Sequence, residues 1–163
     1  SFSSESIADV VADVVLLDYS KEVTIRKITR KNIHFLYRGI DLGFEKYIIL
    51  ESSLRLSKID PEQISAKIKH YYEKRKKSQP LQFLTAGCIF KNPKEEAAGF
   101  LIDKAGAKGM AIGDAQVSEL HGNFIINRGH ATSSEIMRLI EKVENMVEKV
   151  FGIKLEREIN IIQ

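Results

Sequence analysis

The sequence predicts an α+β fold with a mixed or antiparallel sheet and packed helices. Three observations predict it: short apolar runs bounded by turn residues, stretches with apolar residues at helical spacing, and helix-start signals in front of those stretches. With 44% hydrophobic and 29% charged residues, the 163-residue chain can form an ordinary globular core. The predicted order is strands, helix, loop, helix, strand, helix and strand.

Three strands are predicted before the first helix. Residues 10–28 hold two apolar runs separated by residues 18–21 (DYSK), a pattern typical of a hairpin. Residues 47–56 begin as a continuous apolar run and end with alternation, which indicates a third strand.

A helix is predicted to begin at Asp60-Pro61. Asp60 can cap it, Pro61 suits the first turn, and Gln63 can complete a capping box. The helix should run into the basic cluster 74–77 and end before Pro80.

The remaining elements alternate between helix and strand. They are a short helix after Pro93 that ends at Gly106, a strand over 123–127, a helix from the capping box 132–135 to about Gly152, and a last strand over 158–162.

The bulk properties exclude several classes of function. The net charge of +3 is too small to imply a nucleic-acid or membrane partner, and no apolar run approaches the ~20 residues of a membrane span. The single cysteine, Cys88, excludes an intrachain disulfide and fits a cytoplasmic location. The four histidines show no metal-ligand spacing with Cys88 or with each other, so no metal site is expected.

The segment 85–93 (TAGCIFKNP) carries the most chemistry. Gly87 allows a close approach of backbone to a ligand, and Cys88 offers an acidic hydrogen. Lys91 and Asn92 can bind phosphate or sugar oxygens. The alternative is a turn with a buried structural cysteine.

GCIFKNP at 87–93 resembles the GSxFKNP segment of the UDP-N-acetylenolpyruvoylglucosamine reductases. Other segments resemble this family in the same order, and together they cover nearly the whole chain: LYR at 36–38, RKKSQPL at 75–81, GFLIDKAGAKG at 99–109, QVSELHGNFIIN at 116–127, ATSSEI at 131–136 and FGIKLEREINII at 151–162. No long insert separates the LYR segment from the first helix, which suggests the shorter subtype of the family.

The resemblance implies a flavoenzyme of peptidoglycan precursor synthesis. NADPH would reduce bound FAD, the flavin would give hydride to C3 of UDP-N-acetylglucosamine enolpyruvate, and a side chain would protonate C2 to give UDP-N-acetylmuramate. In most members the proton donor is the Ser of GSxFKNP, and Cys88 stands at that position here. A thiol gives up a proton more readily than an alcohol, so the departure is chemically sensible.

The resemblance also implies two further catalytic residues. Glu158 matches the family's catalytic Glu and would polarise the enolpyruvyl group, with Glu156 as the competing carboxylate two positions away. Arg38 matches the active-site Arg and would bind the substrate carboxylate, although Gly39 and Ile40 depart from the usual YRxS pattern.

Substrate-binding residues are expected in the motif and in the basic cluster. We expect Lys76, Lys91, Asn92 and Gln116 to contact the UDP-sugar substrate. Cofactor-binding residues are not assigned, because the family's flavin-binding region precedes these segments and most FAD contacts are expected upstream of Ser1. Residues 1–56 would be the end of a flavin-binding domain that carries the catalytic Arg, and residues 57–163 the substrate-binding domain.

Two other functions stay open at this point. The chain could be a non-catalytic nucleotide-sugar-binding fragment or paralogue, which flavin colour in the full-length protein would distinguish. It could also bind nucleic acid through the basic stretch 69–77 with its two tyrosines, although the overall charge balance argues against this.

Overall fold

The computed structural model describes residues 6–162, and it divides the chain into two compact units, Ser1–Ser65 and Ala66–Gln163. Helices and antiparallel sheets occur together, so the predicted α+β class is confirmed. No helix among the described residues is long and apolar enough to cross a membrane.

The first unit is built mainly from strands. Its strands are β1 (Val11–Asp18), β2 (Thr24–Thr29), β3 (His34–Leu36), β4 (Gly39–Asp41) and β5 (Tyr47–Leu54). An antiparallel sheet has the order β2-β1-β5, and β3 and β4 form a separate hairpin. The predicted hairpin and third strand are therefore confirmed, whereas the β3–β4 hairpin was not predicted because its strands are too short to show a period.

The core of the first unit lies on one side of this sheet. Its buried residues are Val11, Val14, Leu16, Ile33 and Leu42. On β5, by contrast, the consecutive apolar residues 48–50 are each at least 44% exposed. The sheet therefore presents uncovered apolar surface within this unit.

Helix α1 (Pro61–Ser78) has the predicted bounds. The Asp60 Oδ1 atom accepts hydrogen bonds from the backbone N–H groups of Glu62 and Gln63, at 2.9 and 3.4 Å. The helix has no buried residue, and Ile64 and Ile68 on its apolar face are 42% and 64% exposed.

The second unit packs two helices on one sheet. Its elements after α1 are β6 (Leu84–Cys88), α2 (Ala98–Lys104), β7 (Ala111–Ile112), β8 (Ala115–Val117), β9 (Phe124–Asn127) and α3 (Ser133–Phe151). The sheet is antiparallel with the order β6-β9-β8-β7. Helix α3 begins at the predicted capping box of Thr132 and Glu135 and ends at Gly152, whose φ is 68°.

Three sequence expectations for this unit need correction. The segment 84–88 was predicted as loop and forms β6, and the short strands β7 and β8 were not predicted. The predicted last strand over 158–162 is wrong, since the only bridge near it joins Arg157 to Phe90. Apolar alternation does not make a strand where pairing ends, and Ile162 is 95% exposed.

The core of the second unit lies on one face of its sheet. Ala115, Val117 and Ile125 point toward the helices and pack in one cluster with the apolar stripe of α3. Strand alternation turns Gln116 and Ile126 to the opposite face. This second face carries the candidate site.

Candidate active site

A β-bulge directs Cys88. Thr85 pairs with Ile126, but Cys88 pairs with Phe124, so three steps on β6 match two steps on β9. Without the extra residue, Thr85 and Cys88 would point to opposite faces; with it, both share the face of Ile126 and Gln116. Gly87 makes this possible with a φ of 84°, and its N–H donates to Thr85 Oγ1 at 3.2 Å. Cys88 is half-buried.

The buried Asn123 side chain fixes the chain just after Cys88. Its Oδ1 accepts from Phe90 N–H at 2.9 Å, and its Nδ2 donates to the Phe90 carbonyl at 2.8 Å. Its backbone carbonyl also accepts from Ile89 N–H at 3.0 Å. Asn123 is 3% exposed, so the amide pairs with a strand-like segment much as a neighbouring strand would.

The C-terminal segment lies along the other edge of the same residues. Glu158 N–H donates to the Ile89 carbonyl at 2.8 Å, and Lys91 N–H donates to the Glu156 carbonyl at 2.8 Å. The backbone of Glu158 is thus bonded to Ile89, the residue that follows Cys88. The Glu158 side chain is half-buried, and its Oε2 atom is shielded from solvent. Two of the three predicted catalytic residues therefore lie on adjacent segments.

A two-point ion pair joins this segment to α3. Arg157 Nε donates to Glu144 Oε1 at 2.6 Å, and a terminal guanidinium nitrogen donates to Oε2 at 2.7 Å. The two side chains are 30% and 22% exposed. The hydrogen bonds to Glu144 raise the pKa of Arg157 above its usual value, so the guanidinium stays charged.

Lys91 and Asn92 take part in contacts within the protein. Lys91 Nζ pairs with the Glu156 carboxylate. Asn92 Oδ1 accepts from the Ala98 N–H at the start of α2, at 3.0 Å, and the residue is exposed. Both residues lie next to the Cys88 segment, and their predicted substrate contacts stay a prediction.

Gln116 lines a cavity of about 350 Å³ on the Cys88 face of the sheet. The cavity combines apolar, amide and charged groups: Pro80, Gln82, Phe83, Gln116, Ser118, Glu119, Leu120, Ile126 and Arg128. Gln116 is held in place because its Nε2 donates to the Gly109 carbonyl at 3.0 Å. Apolar walls with a few fixed polar groups are typical of small-molecule sites.

Lys76 and Arg38 lie in other segments of the chain. Lys76 is on the exposed face of the last turn of α1. Arg38 is in the first unit, in the two-residue turn between β3 and β4, and its guanidinium lies 5.8 Å from the centre of the Tyr37 ring. Its φ of 58° is the only positive value at a non-glycine residue in the described part of the chain. Such backbone is uncommon outside glycine and often occurs at functional sites.

His121 acts as a structural residue. Its Nδ1 accepts from Asn123 N–H at 3.2 Å, and its ring lies edge-on to Phe124. Burial, followed by the nearby charge of Lys108, lowers the pKa of His121 below its usual value. A neutral imidazole suits the acceptor role at Nδ1.

Sequence reasoning missed the residues that position the site. Asn123 was in a matched segment but had no assigned role; its signal is a polar residue that directly precedes an apolar strand. Arg128 in the cavity wall and the Glu144–Arg157 pair gave no signal, because charged residues on a helix and in a loop usually face solvent.

Residues 79–162 match the family model of the UDP-N-acetylenolpyruvoylglucosamine reductase C-terminal domain. The chain is 39% identical over 154 residues to the UDP-N-acetylenolpyruvoylglucosamine reductase of Syntrophus aciditrophicus, which covers 94% of this chain and 48% of that protein. It is 38% identical over 162 residues to the same-named protein of Caldanaerobacter subterraneus, which covers 99% and 53%.

A solved structure gives the same match. The UDP-N-acetylenolpyruvylglucosamine reductase of Thermus caldophilus superposes with a TM-score of 0.76 at 30% sequence identity, over 94% of this chain and 53% of that one. The chain therefore spans about half the length of the relatives that it matches.

Proposed function

Because the chain belongs to the UDP-N-acetylenolpyruvoylglucosamine reductase family, we propose that it forms the substrate-binding and proton-donating half of a reductase that converts UDP-N-acetylglucosamine enolpyruvate into UDP-N-acetylmuramate. One observation carries the proposal: Cys88 directly precedes Ile89, and Glu158 is hydrogen-bonded to Ile89. This backbone contact brings together the segments of two residues that lie 70 positions apart in the sequence and that the family motifs both single out.

The proposed reaction needs a proton donor at the substrate after reduction. When bound in the holoenzyme, FAD would supply the hydride for the enolpyruvyl C3. The Cys88 S–H bond then breaks as a C–H bond forms at C2, and solvent returns a proton to the thiolate. The reference pKa of a thiol, about 8.5, makes this transfer easier than from an alcohol.

The other two predicted catalytic residues would stabilise charge on the substrate. Glu158, with one oxygen shielded from water, would act on the polarised enolpyruvyl group more strongly than a fully solvated carboxylate. Arg38 would bind the substrate carboxylate with its planar guanidinium, and the unusual φ at this residue supports a functional role.

The cavity beside Gln116 suits the nucleotide part of the substrate. Phe83 and Leu120 offer apolar surface for a base, and Gln116 and Arg128 offer donors for sugar and phosphate oxygens. The motif residues Lys91 and Asn92, together with Lys76, remain the proposed contacts nearer the diphosphate.

FAD and NADPH are assigned to the holoenzyme rather than to residues of this chain. The thiol and carboxylate found here fit proton transfer to a substrate that a flavin reduces. The exposed apolar residues 48–50 of β5 support a flavin-binding region that packs against this sheet.

The test is turnover by the holoenzyme, in which this chain is joined to its flavin-binding region. We expect NADPH oxidation that depends on UDP-N-acetylglucosamine enolpyruvate and yields UDP-N-acetylmuramate by mass spectrometry. UDP-N-acetylglucosamine, which lacks the enolpyruvyl group, is the control and should give no oxidation. Tight substrate binding by calorimetry without NADPH oxidation would instead identify a non-catalytic nucleotide-sugar binder.

A further inference from the structure

Residues 89–91, which follow Cys88, are held on two edges. On one edge, the buried Asn123 makes three hydrogen bonds to Ile89 and Phe90. On the other edge, the segment 156–158 makes two backbone hydrogen bonds, the ion pair of Glu156 with Lys91 and a single bridge at Arg157. The contacts that hold this second edge therefore bear on the position of Glu158.

On the C-terminal side of Glu158, Ile159 packs against the core cluster, whereas Ile161 is 46% exposed and Ile162 is 95% exposed. On the other side, Arg157 is bridged to Phe90 and reaches α3 through both of its bonds to Glu144.

Helix α3 is a rigid base for such an anchor. Glu144 directly follows Val143, which is 1% exposed, and Val147 one turn later is fully buried. The backbone that carries the Glu144 carboxylate is therefore held by the core. A bidentate guanidinium–carboxylate contact fixes direction as well as distance, which a single-point ion pair does not.

We propose that the Glu144–Arg157 pair positions Glu158 for the reaction, by fixing the C-terminal segment to α3 at the residue before the catalytic carboxylate. This inference rests on the proposed function. The pair acts through Glu158 and has no contact of its own with the substrate, so both of its members are positioning residues.

The chain offers a matched control for this pair. Lys108 Nζ and Asp103 Oδ2 form a single-point ion pair at 3.0 Å, with side chains 28% and 49% exposed. It also joins a helix to a following loop residue, but neither partner adjoins Cys88 or Glu158. Asp103→Asn removes one charge from this pair, just as Glu144→Gln does from the other.

The experiment measures both half-reactions of the holoenzyme by stopped flow. In Glu144→Gln, we expect flavin reduction by NADPH at the native rate and reoxidation by the enolpyruvyl substrate slowed on the order of ten- to a hundredfold, as expected for a misplaced reacting group. Glu144→Asp keeps the charge and should lie between the two. Asp103→Asn should match the native enzyme in both half-reactions.

A merely structural role predicts a different result. The melting temperature of Glu144→Gln would fall, but folded, flavin-loaded enzyme would reoxidise at the native rate, and that outcome would overturn the inference. If Glu144→Gln does not fold, Glu144→Asp and Arg157→Lys are tested with the same criterion. Failure of the native enzyme to reoxidise with substrate would instead overturn the proposed function.

Discussion

Asn123→Asp replaces the NH2 group of a buried amide by an oxygen, within the pair of hydrogen bonds that joins Asn123 to the backbone of Phe90. The native amide accepts from Phe90 N–H and donates to the Phe90 carbonyl. A carboxylate has the same shape and can still accept, but it presents an oxygen to the Phe90 carbonyl in place of a donor. No cavity is created, so the effect reports on hydrogen bonding and on the burial of the introduced charge.

The size of the effect depends on pH. A buried acceptor left without its donor costs about 1–3 kcal/mol, and more where a charge is involved, so we expect a loss of roughly 3 kcal/mol at pH 8. When protonated, the introduced carboxyl group can donate to Phe90, and the loss should fall below about 1 kcal/mol. Its pKa in the folded state is therefore raised above the unfolded value of about 3.9.

The direction in which the stability of Asn123→Asp changes with pH follows from this raised pKa. The folded variant holds a proton that the unfolded chain has lost, so its stability relative to the native protein is greatest below about pH 4 and falls as the pH rises through the folded pKa. At pH 8 the melting temperature should drop by roughly 6–12 °C.

Asn127→Asp, at the other end of β9, is the control. Its Oδ1 accepts from the N–H groups of Gly129 and Ala131, a role that a carboxylate fills equally well. Thermal melts followed by circular dichroism at pH 4 and pH 8 compare each variant with the native protein at the same pH. An equal loss for Asn123→Asp at both pH values would refute the donor role assigned to Asn123.

Three further results are expected. In the holoenzyme, Cys88→Ala should leave flavin reduction by NADPH near normal and slow reoxidation by substrate about 10²–10⁴-fold. Cys88→Ser should keep much of the reoxidation rate. Equal reoxidation rates of the native enzyme and Cys88→Ala in stopped flow would mean that Cys88 has only a structural role. Gly87→Ala and Gly152→Ala should each lower the free energy of unfolding by about 1–2 kcal/mol in thermal melts, because both glycines have positive φ. An added Cβ would meet nothing within 4 Å at either position, so no steric clash adds to this cost. Only Gly87→Ala should also slow reoxidation, so identical rates for the two would contradict the bulge argument. Lys108→Gln should raise the pKa of His121 in an NMR titration, because burial and then the Lys108 charge hold it down; an unchanged pKa would remove the charge from the explanation.

Local signals in the sequence predicted the elements that local interactions define. Helix α1 has the bounds that its Asp60 cap and Pro80 indicate, and α3 begins at the predicted capping box. Both signals are short-range, since a cap and its partners lie within three residues.

Elements that depend on distant partners were harder to predict. Strand β6 pairs with β9, about forty residues later, and its small residues give no strand period. The segment 158–162 has the opposite problem, because its apolar pattern suggests a strand but pairing ends at Glu158. Strand formation depends on the neighbour as much as on the residues themselves.

The candidate site shows the same division. The identity of the proposed proton donor could be predicted from one motif, because the ability to donate a proton depends on the residue type at position 88. The direction of its side chain depends on the bulge at Gly87, and the amide of Asn123 holds the residues that follow it; the two lie in separate segments. No single-sequence motif carries that information.

The two kinds of residue should therefore behave differently when substitutions are combined. Once Cys88 is replaced by alanine, the proposed proton transfer is lost but the proposed polarisation by Glu158 remains, so adding Glu144→Gln should slow reoxidation further. With Cys88 present, Gly87→Ala should displace the segment that carries Cys88, and Glu144→Gln should displace the segment that carries Glu158. Their effects should be coupled, because the two segments are hydrogen-bonded to each other. No further slowing by Glu144→Gln in the Cys88→Ala enzyme would contradict the separate role assigned to Glu158 and would mean that the ion pair acts only through the proton transfer.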